Sequence, residues 1–438
     1  MKKLIFIIPI ISIMMFGCGR EIKDLPSSAT TIHIDVNTAE KHMDMSEYLD
    51  TSFFKAIPLE TTAECLVGKD IMNVWYRNGR IYVWEEQTES VFMFDENGKF
   101  IDKIADKGEG PNEYLKIKNV TLSDSLICIF DTYSRKVLYY DLDCNFIRRV
   151  STQYVNQNII TAARSFILGD RIYFGIVFIE NFRTDMYGAP HKWVSMDLDL
   201  NKESVKRFLP YDYSCPTESE SHFSLPSGYP YTNINDKVRF MISNLDTIFV
   251  ATRDTIVPEY VLDFGEQSVP VRLYKTTYHE AKYNDEFDNY VTGIQHMLDT
   301  EDYIILQFRY GDYSMKEILA SIPAEIQNDY KKRADWLNRN RPTTQYYLFI
   351  NKKTGETRLT NGIFYEAFGW HLAVKIADGK YLIEPRNNHP YSFNEDGTHG
   401  GYSMPHNPRV EKILNDAYST VKLDDNPVLF IYKFKDVE

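Results

Sequence analysis

The chain has 438 residues, 62 Asp and Glu against 49 Lys and Arg, and a formal net charge of −13. That length allows a large core, and the acidic balance excludes nucleic acid or an anionic bilayer surface as the main partner. Aromatic content of 14 %, with 31 Tyr and 26 Phe, suits sheets packed on sheets, and five cysteines without a Cys-x-x-Cys pair exclude a disulfide-scaffold fold.

Residues 1–17 read as a signal peptide: Met1-Lys2-Lys3, an apolar run from Leu4 to Phe16, then Gly17. The run is shorter than the roughly 20 residues of a membrane span. Met15-Phe16-Gly17-Cys18 resembles a bacterial lipobox, so Cys18 is the expected lipidation site, each buried CH₂ adding ~0.8 kcal/mol of anchoring. Residues 18–28, polar with Pro26 and Ser27-Ser28, are the expected lipidated tether, and 29–438 the single folded domain.

Thr31 to Val36 alternates strictly and predicts a strand, as does Pro427 to Phe434 at the far end. Pairing of that first strand with the last structural unit is the expected closure. From Ile71 to Val150 the same pattern occurs twice. Ile71, Val74, Ile81, Val91, Asp95 and Phe100 return as Ile117, Val120, Ile127, Val137, Asp141 and Phe146, each 46 residues on. Each copy holds four short alternating runs broken by turn residues such as Asn78-Gly79, Asn97-Gly98 and Ser123-Asp124-Ser125. Four antiparallel strands in 46 residues match the ~40–50-residue blade of a β-propeller and leave no room for a crossover helix. Blades bury their faces only against one another, so the fold class is all-β, a propeller of four-stranded antiparallel blades. The recurring Asp (Asp95, Asp141, Asp197) is placed to accept backbone N–H bonds at a hairpin turn. In the repeat Cys128 replaces Tyr82 and Cys144 replaces Gly98, so these two cysteines read as a strand filler and a turn residue; with Cys65 and Cys215 they are expected to be free structural thiols.

The grammar continues through Arg171–Phe178 with Trp193–Asp197, Thr247–Ala251 with Pro258–Gly265, and Tyr303–Arg309 with Tyr346–Ile350, then Leu372–Ile383 and Val421–Phe434. A loop is expected around Asn181–Pro190 and a long surface loop over Pro210–Tyr231. Ile318, Leu319, Ile322, Ile326, Tyr330 and Trp336 recur at helical spacings, predicting a small helical insertion near 315–338.

Five stretches then carry a closer likeness: Leu59-Glu60-Thr61, Phe94–Ile101, Lys107-Gly-Glu-Gly-Pro-Asn-Glu-Tyr114, Pro258–Gly265 and Asp425-Asn-Pro-Val-Leu429. Together they resemble the bacterial six-bladed β-propeller lipoprotein family, related in shape to NHL-repeat propellers. The resemblance implies six blades and an envelope location, and it carries no catalytic residue over. The departures are longer late blades, the helical insertion, and Asn112 where that loop often has a small residue.

Candidate chemistry is sparse. Gly108–Tyr114 lacks the Lys and Ser/Thr of a phosphate loop and reads as a turn between blades. Asp141-Leu-Asp-Cys-Asn145 and Asp197-Leu-Asp-Leu-Asn201 open like calcium loops but lack Gly at position six and Glu at twelve, so no cofactor is expected beyond a weak calcium site. His371, His389, His399 and His406, near Glu384 and Asp396, lack any metal-ligand spacing. Tyr211, Tyr213, Tyr229, Tyr231, Trp370, His371 and Tyr402 are the candidate ligand-binding residues, able to stack against sugars. The functional expectation is a non-catalytic binding module, lipid-anchored to the outer membrane, for a glycan, peptide or envelope protein partner. The alternative is a carbohydrate-active hydrolase or lyase with its site in the central depression.

Overall fold

A computed structural model describes residues 29–436, except 153–164, 176–190, 211–231, 242–245, 271–288, 311–320, 328–331, 334–335, 337–344, 366–369, 387–406 and positions 69, 132, 292, 373 and 423. Six four-stranded antiparallel blades form a propeller ring. The first strands of blades 2 and 3, of blades 5 and 6 and of blades 6 and 1 touch, so the blades run from an inner first strand to an outer fourth. Blade 1 comprises Ile71–Arg77, Arg80–Glu85, Ser90–Asp95 and Phe100–Ile104; blade 2 comprises Ile117–Leu122, Ile127–Asp131, Lys136–Tyr140 and Phe146–Ser151. The 46-residue repeat holds down to local irregularities. Both inner strands carry a bulge at the same place, between Ile71 and Asn73 and between Ile117 and Asn119.

Blade 3 is Ser165–Leu168, Arg171–Gly175, His191–Asp197 and Lys206–Pro210, and blade 4 is Asn233–Ile234, Lys237–Met241, Thr247–Ala251 and Ile256–Asp263. Blade 5 is Gly293–Asp299, Tyr303–Arg309, Gln345–Asn351 and Thr357–Thr360. Blade 6 takes three strands from the end of the chain, Ile376–Asp378, Tyr381–Arg386 and Val428–Phe434, and its outer strand, Leu49–Pro58, from the beginning.

That closure corrects the expected one. The strand near Thr31 spans Thr30–His33 and pairs in parallel with the outer strand of blade 4, not with the last blade. From there the chain runs along the rim: Glu40 bridges Thr360 of blade 5, and Met43–Asp44 pairs with Ile363–Tyr365, before Leu49–Pro58 completes blade 6. Residues 30–58 are thus a strap over three blades. Strict alternation marks Thr31–Val36 as a strand with one buried face, and it cannot say which outer edge that strand covers.

There is no single core. Among the described residues six apolar clusters occur, one at each interface between neighbouring blades. Alternation explains them. In Arg80–Glu85, Tyr82 and Trp84 face blade 2 while Ile81 and Val83 face blade 6.

The insertion predicted near 315–338 falls largely outside the described residues; of the part that is described, Ala324–Ile326 forms a 3₁₀ turn. An α-helix unforeseen in the sequence covers Pro408–Tyr418. Asn407 caps it by accepting from the Arg409 N–H at 3.0 Å, Pro408 opens it, and Val410, Leu414, Ala417 and Tyr418 form its buried stripe against the interface of blades 5 and 6.

Candidate functional site at one mouth of the channel

Each inner strand turns back into the second strand at the same end of the ring. Arg77 and Arg80 pair across Asn78 (φ +52°) and Gly79 (φ +70°); Ile234 and Lys237 pair across Asn235 (φ +54°) and Asp236 (φ +57°). Two left-handed residues in a two-residue loop are the hairpin that Asn-Gly and Asn-Asp favour. Asp378 and Tyr381 pair across Gly379 and Lys380. Turns this short frame the channel mouth without covering it.

Behind the turns each blade is riveted to the next. Tyr82 of blade 1 donates to the Leu142 carbonyl of blade 2 at 2.8 Å, and Arg80 pairs with Asp143. Tyr139 donates to the Leu198 carbonyl of blade 3 at 2.7 Å, and Arg148 pairs with Asp199. Tyr173 donates to the Arg253 carbonyl of blade 4 at 2.7 Å, and Lys206 pairs with Asp254 at 2.6 Å. Between blades 4 and 5 the rivet is sunk into the protein: Arg239 binds Glu259 and, at 3.3 Å, Asp299, which also pairs with Lys352. Burial pushes the Asp299 carboxyl up and the Lys352 ammonium down, each against the pull of its partner.

These rivets account for the calcium-like runs. In Asp141–Asn145 the first carboxylate accepts the backbone N–H groups of Asp143 and Asn145 at 2.9 and 2.8 Å, while Asp143 faces Arg80. In Asp197–Asn201 the first accepts from Asn201 N at 2.9 Å while Asp199 faces Arg148. Asp95 closes its turn in the same way. Among the described residues no group of three or more His, Cys, Asp and Glu is placed to hold a metal ion.

The channel mouth widens into a funnel of ≈ 570 Å³ lined by Tyr76, Arg77 and Asn78 of blade 1, Ser123 and Asp124 of blade 2, Asn233 of blade 4, Glu301 of blade 5, and Asp378, Lys380 and Tyr381 of blade 6. Asp378, its side chain 3 % exposed, accepts from Arg77 Nη2 at 2.8 Å, from Nε at 3.0 and 3.1 Å, and from the Tyr76 N–H at 3.0 Å. This fork joins the last blade to the first. Burial opposes the Arg77 charge, and Asp378 more than offsets it, holding the guanidinium above its ordinary value. The third guanidinium nitrogen lies 3.5 Å from Asp124 Oδ1. Lys380 faces Asp436 and, at 3.6 Å, Glu301. Tyr76 and Tyr381 meet edge to face, ring centres 5.0 Å apart, and the Tyr76 hydroxyl accepts from Lys55 Nζ at 2.9 Å.

The structure brings none of the sequence-predicted ligand residues into this description. Tyr211, Tyr213, Tyr229, Tyr231 and Tyr402 lie outside the described residues, as do Cys18, Cys215, His389, His399 and His406. The backbone of Trp370–His371 pairs with Phe364 and Tyr365 in a small sheet with Met43–Asp44, and their side chains are outside the description. Glu384 pairs with Arg386 at 2.7 Å. Cys65, Cys128 and Cys144 are free thiols; burial pushes Cys144, at φ +66° in its turn, up to about 12.

The glycine-rich loop is the expected turn between blades. Gly110 N donates to Glu113 Oε2 at 2.7 Å, and that carboxylate occupies the space a Cβ would need at Gly108 and Gly110. Tyr114 is fully buried with its hydroxyl on the Glu89 carbonyl at 2.6 Å. Three of the other quoted segments, Leu59–Thr61, Phe94–Ile101 and Asp425–Leu429, meet at the seam of blades 6 and 1: Glu60 N donates to the Gly98 carbonyl at 2.8 Å, and Asn426 Nδ2 donates to the carbonyls of Glu60 and Cys65 at 2.6 and 2.5 Å. Pro258–Gly265 lies at the outer edge of blade 4.

A family model described as "Domain of unknown function (DUF4934)" matches residues 29–433. The chain belongs to the DUF4934 family. No curated protein matches it. Among solved structures, a putative exported protein from Bacteroides fragilis NCTC 9343 is 16 % identical with a TM-score of 0.59, the match covering 93 % of this chain and all of that one. A member of the DUF4221 family from Bacteroides vulgatus is 14 % identical with a TM-score of 0.47, over 89 % of this chain and 98 % of that one. At this identity the first match shows that the DUF4934 chain and the exported protein share a fold, here the six-bladed ring.

Proposed function

We propose that the chain is a non-catalytic binding module of the cell envelope, exported through residues 1–17, held to the outer membrane by lipid on Cys18, and receiving a glycan, peptide or protein partner at the funnel. The observation that carries this reading is a preformed, open depression whose charged side chains are matched within the protein: Arg77 by Asp378 and Asp124, and Lys380 by Glu301 and Asp436. Carboxylates so engaged are suited to fixing shape rather than to carrying protons. The exported relative of shared fold agrees with the address.

The test is a thermal-shift series on the purified full chain in detergent, with oligosaccharides and peptides, against Asp124→Trp, which fills the mouth at an exposed position. A probe at 100 times its Kd adds about 2.7 kcal/mol of stability. A shift present in the wild type and lost in Asp124→Trp supports the reading; shifts that survive the substitution overturn it. Metabolic labelling with an alkyne fatty acid checks the anchor, the label being lost in Cys18→Ala. A second reading, a carbohydrate-active hydrolase or lyase, draws on the Tyr76 hydroxyl, which belongs to a residue lining the funnel and accepts from Lys55 Nζ at 2.9 Å. Product release from a bound sugar, abolished in Tyr76→Phe, would favour it.

A further inference from the structure

We infer that the funnel accepts an uncharged saccharide bearing adjacent hydroxyls; this rests on the binding reading above and names its ligand class. The funnel walls carry cations and carboxylates in mutual pairs, and the central pair, Arg77 with Asp378, is largely buried. A charged ligand would have to compete with those partners, and separating a buried pair leaves an uncompensated charge. The hydrogen-bonding capacity left over is of another kind. The Asn233 side-chain oxygen is buried without a partner among the described residues. Asp124, 88 % exposed, is only loosely paired, 3.5 Å from the Arg77 nitrogen that does not touch Asp378, so this acceptor and this donor each keep room for a further hydrogen bond.

An acceptor and a donor side by side suit a hydroxyl pair, because each hydroxyl both gives and receives a hydrogen bond. A carboxylate or phosphate ligand would meet Asp124 as a repelling acceptor. Tyr381, fixed edge to face against Tyr76, supplies an aromatic wall for the C–H face of a sugar ring. The cavity of ≈ 570 Å³ falls within the span of small-ligand sites, roughly 300–1,000 Å³.

Isothermal titration of the full chain in detergent with mannotriose, xylotriose, maltotriose and cellotriose tests this, against trigalacturonate, a heparin trisaccharide and acidic and basic tripeptides. The expected result is binding by at least one neutral trisaccharide, weakened about tenfold in Tyr381→Ala and in Asn233→Ala and unchanged in Arg358→Ala on the distant outer strand of blade 5. Should Tyr381→Ala fail to fold, Asn233→Ala decides alone. Binding by charged probes only, lost in Asp124→Trp, overturns the uncharged-saccharide inference and leaves the binding module standing. Absence of binding by every probe, or binding that persists in Asp124→Trp, overturns both.

Discussion

Asn426 shows how much one side chain can hold. It is 2 % exposed, donates to the Glu60 and Cys65 carbonyls, accepts from Val67 N at 2.7 Å, and gives its own N–H to Thr61 Oγ1 at 2.8 Å. Those partners lie at the other end of the chain, so this amide seals the seam between the first and last blades. Asn426→Ala strands two carbonyls and an N–H away from water, and a loss of about 2–4 kcal/mol is expected from the urea midpoint. Two glycines sharpen the same point. Gly79 (φ +70°) has nothing within 4 Å of where a Cβ would sit, whereas at Gly98 (φ +84°) that Cβ would lie 2.1 Å from the Pro58 carbonyl oxygen. Gly79→Ala should cost only the left-handed strain, about 1 kcal/mol, and Gly98→Ala clearly more, because the outer strand of blade 6 must move. Equal losses in chemical denaturation would contradict that contact.

At the scale of elements, the strap is the part most open to experiment. Arg358, on the outer strand of blade 5, binds Glu40 through Nε at 2.9 Å and Nη2 at 2.8 Å and also reaches Glu47. All three side chains are at least a third exposed, so the pairs together are worth at most about 1 kcal/mol. The strap's own backbone bonds, Glu40 N to the Leu359 carbonyl and Met43 N to the Gly362 carbonyl, both 2.9 Å, carry the rest. Arg358→Ala should therefore leave global melting almost unchanged while amides of residues 40–44 exchange faster with deuterium. Unaltered exchange there would mean that Arg358 does not hold the strap.

For the whole molecule, six separate interface cores replace one centre, and a carboxyl of blade 4 makes the stability of the ring depend on pH. Burial, with the nearby Asp263 carboxylate adding to it, pushes Asp246 up to about 7. The folded chain thus holds this proton more tightly than the unfolded one, whose carboxyl titrates near 3.8. Its stabilising contribution is complete below about pH 4 and is lost as pH rises through 7. Melting temperatures measured from pH 4 to 8 should fall less in Asp246→Asn than in the wild type. Parallel profiles would remove Asp246 as a source of the slope.

The blade was legible in the sequence because it is local. Period-2 alternation, Asn-Gly turns and an exact 46-residue offset follow from contacts within a blade and between neighbours, so they recur as text. The repeat reached further than the six quoted pairs: Glu85 and Asp131, both fully buried, take backbone N–H groups of the turns that follow them, and Asn73, Asn119 and Ser165 fall 46 apart on three inner strands. Helix Pro408–Tyr418 had its cap and stripe in plain view, yet one short amphipathic run among many strands gave no second copy to set it off. The funnel was not legible, since Arg77, Asp124, Asn233, Glu301 and Asp378 come from five blades and meet only once the ring closes. By itself, then, the sequence determined the blade, its turns and the pairing of each face with a neighbour. Tertiary structure alone decided which strand closes the ring, where the strap lies, and which turn residues share a mouth, because those depend on contacts between segments hundreds of residues apart that leave no period in the chain.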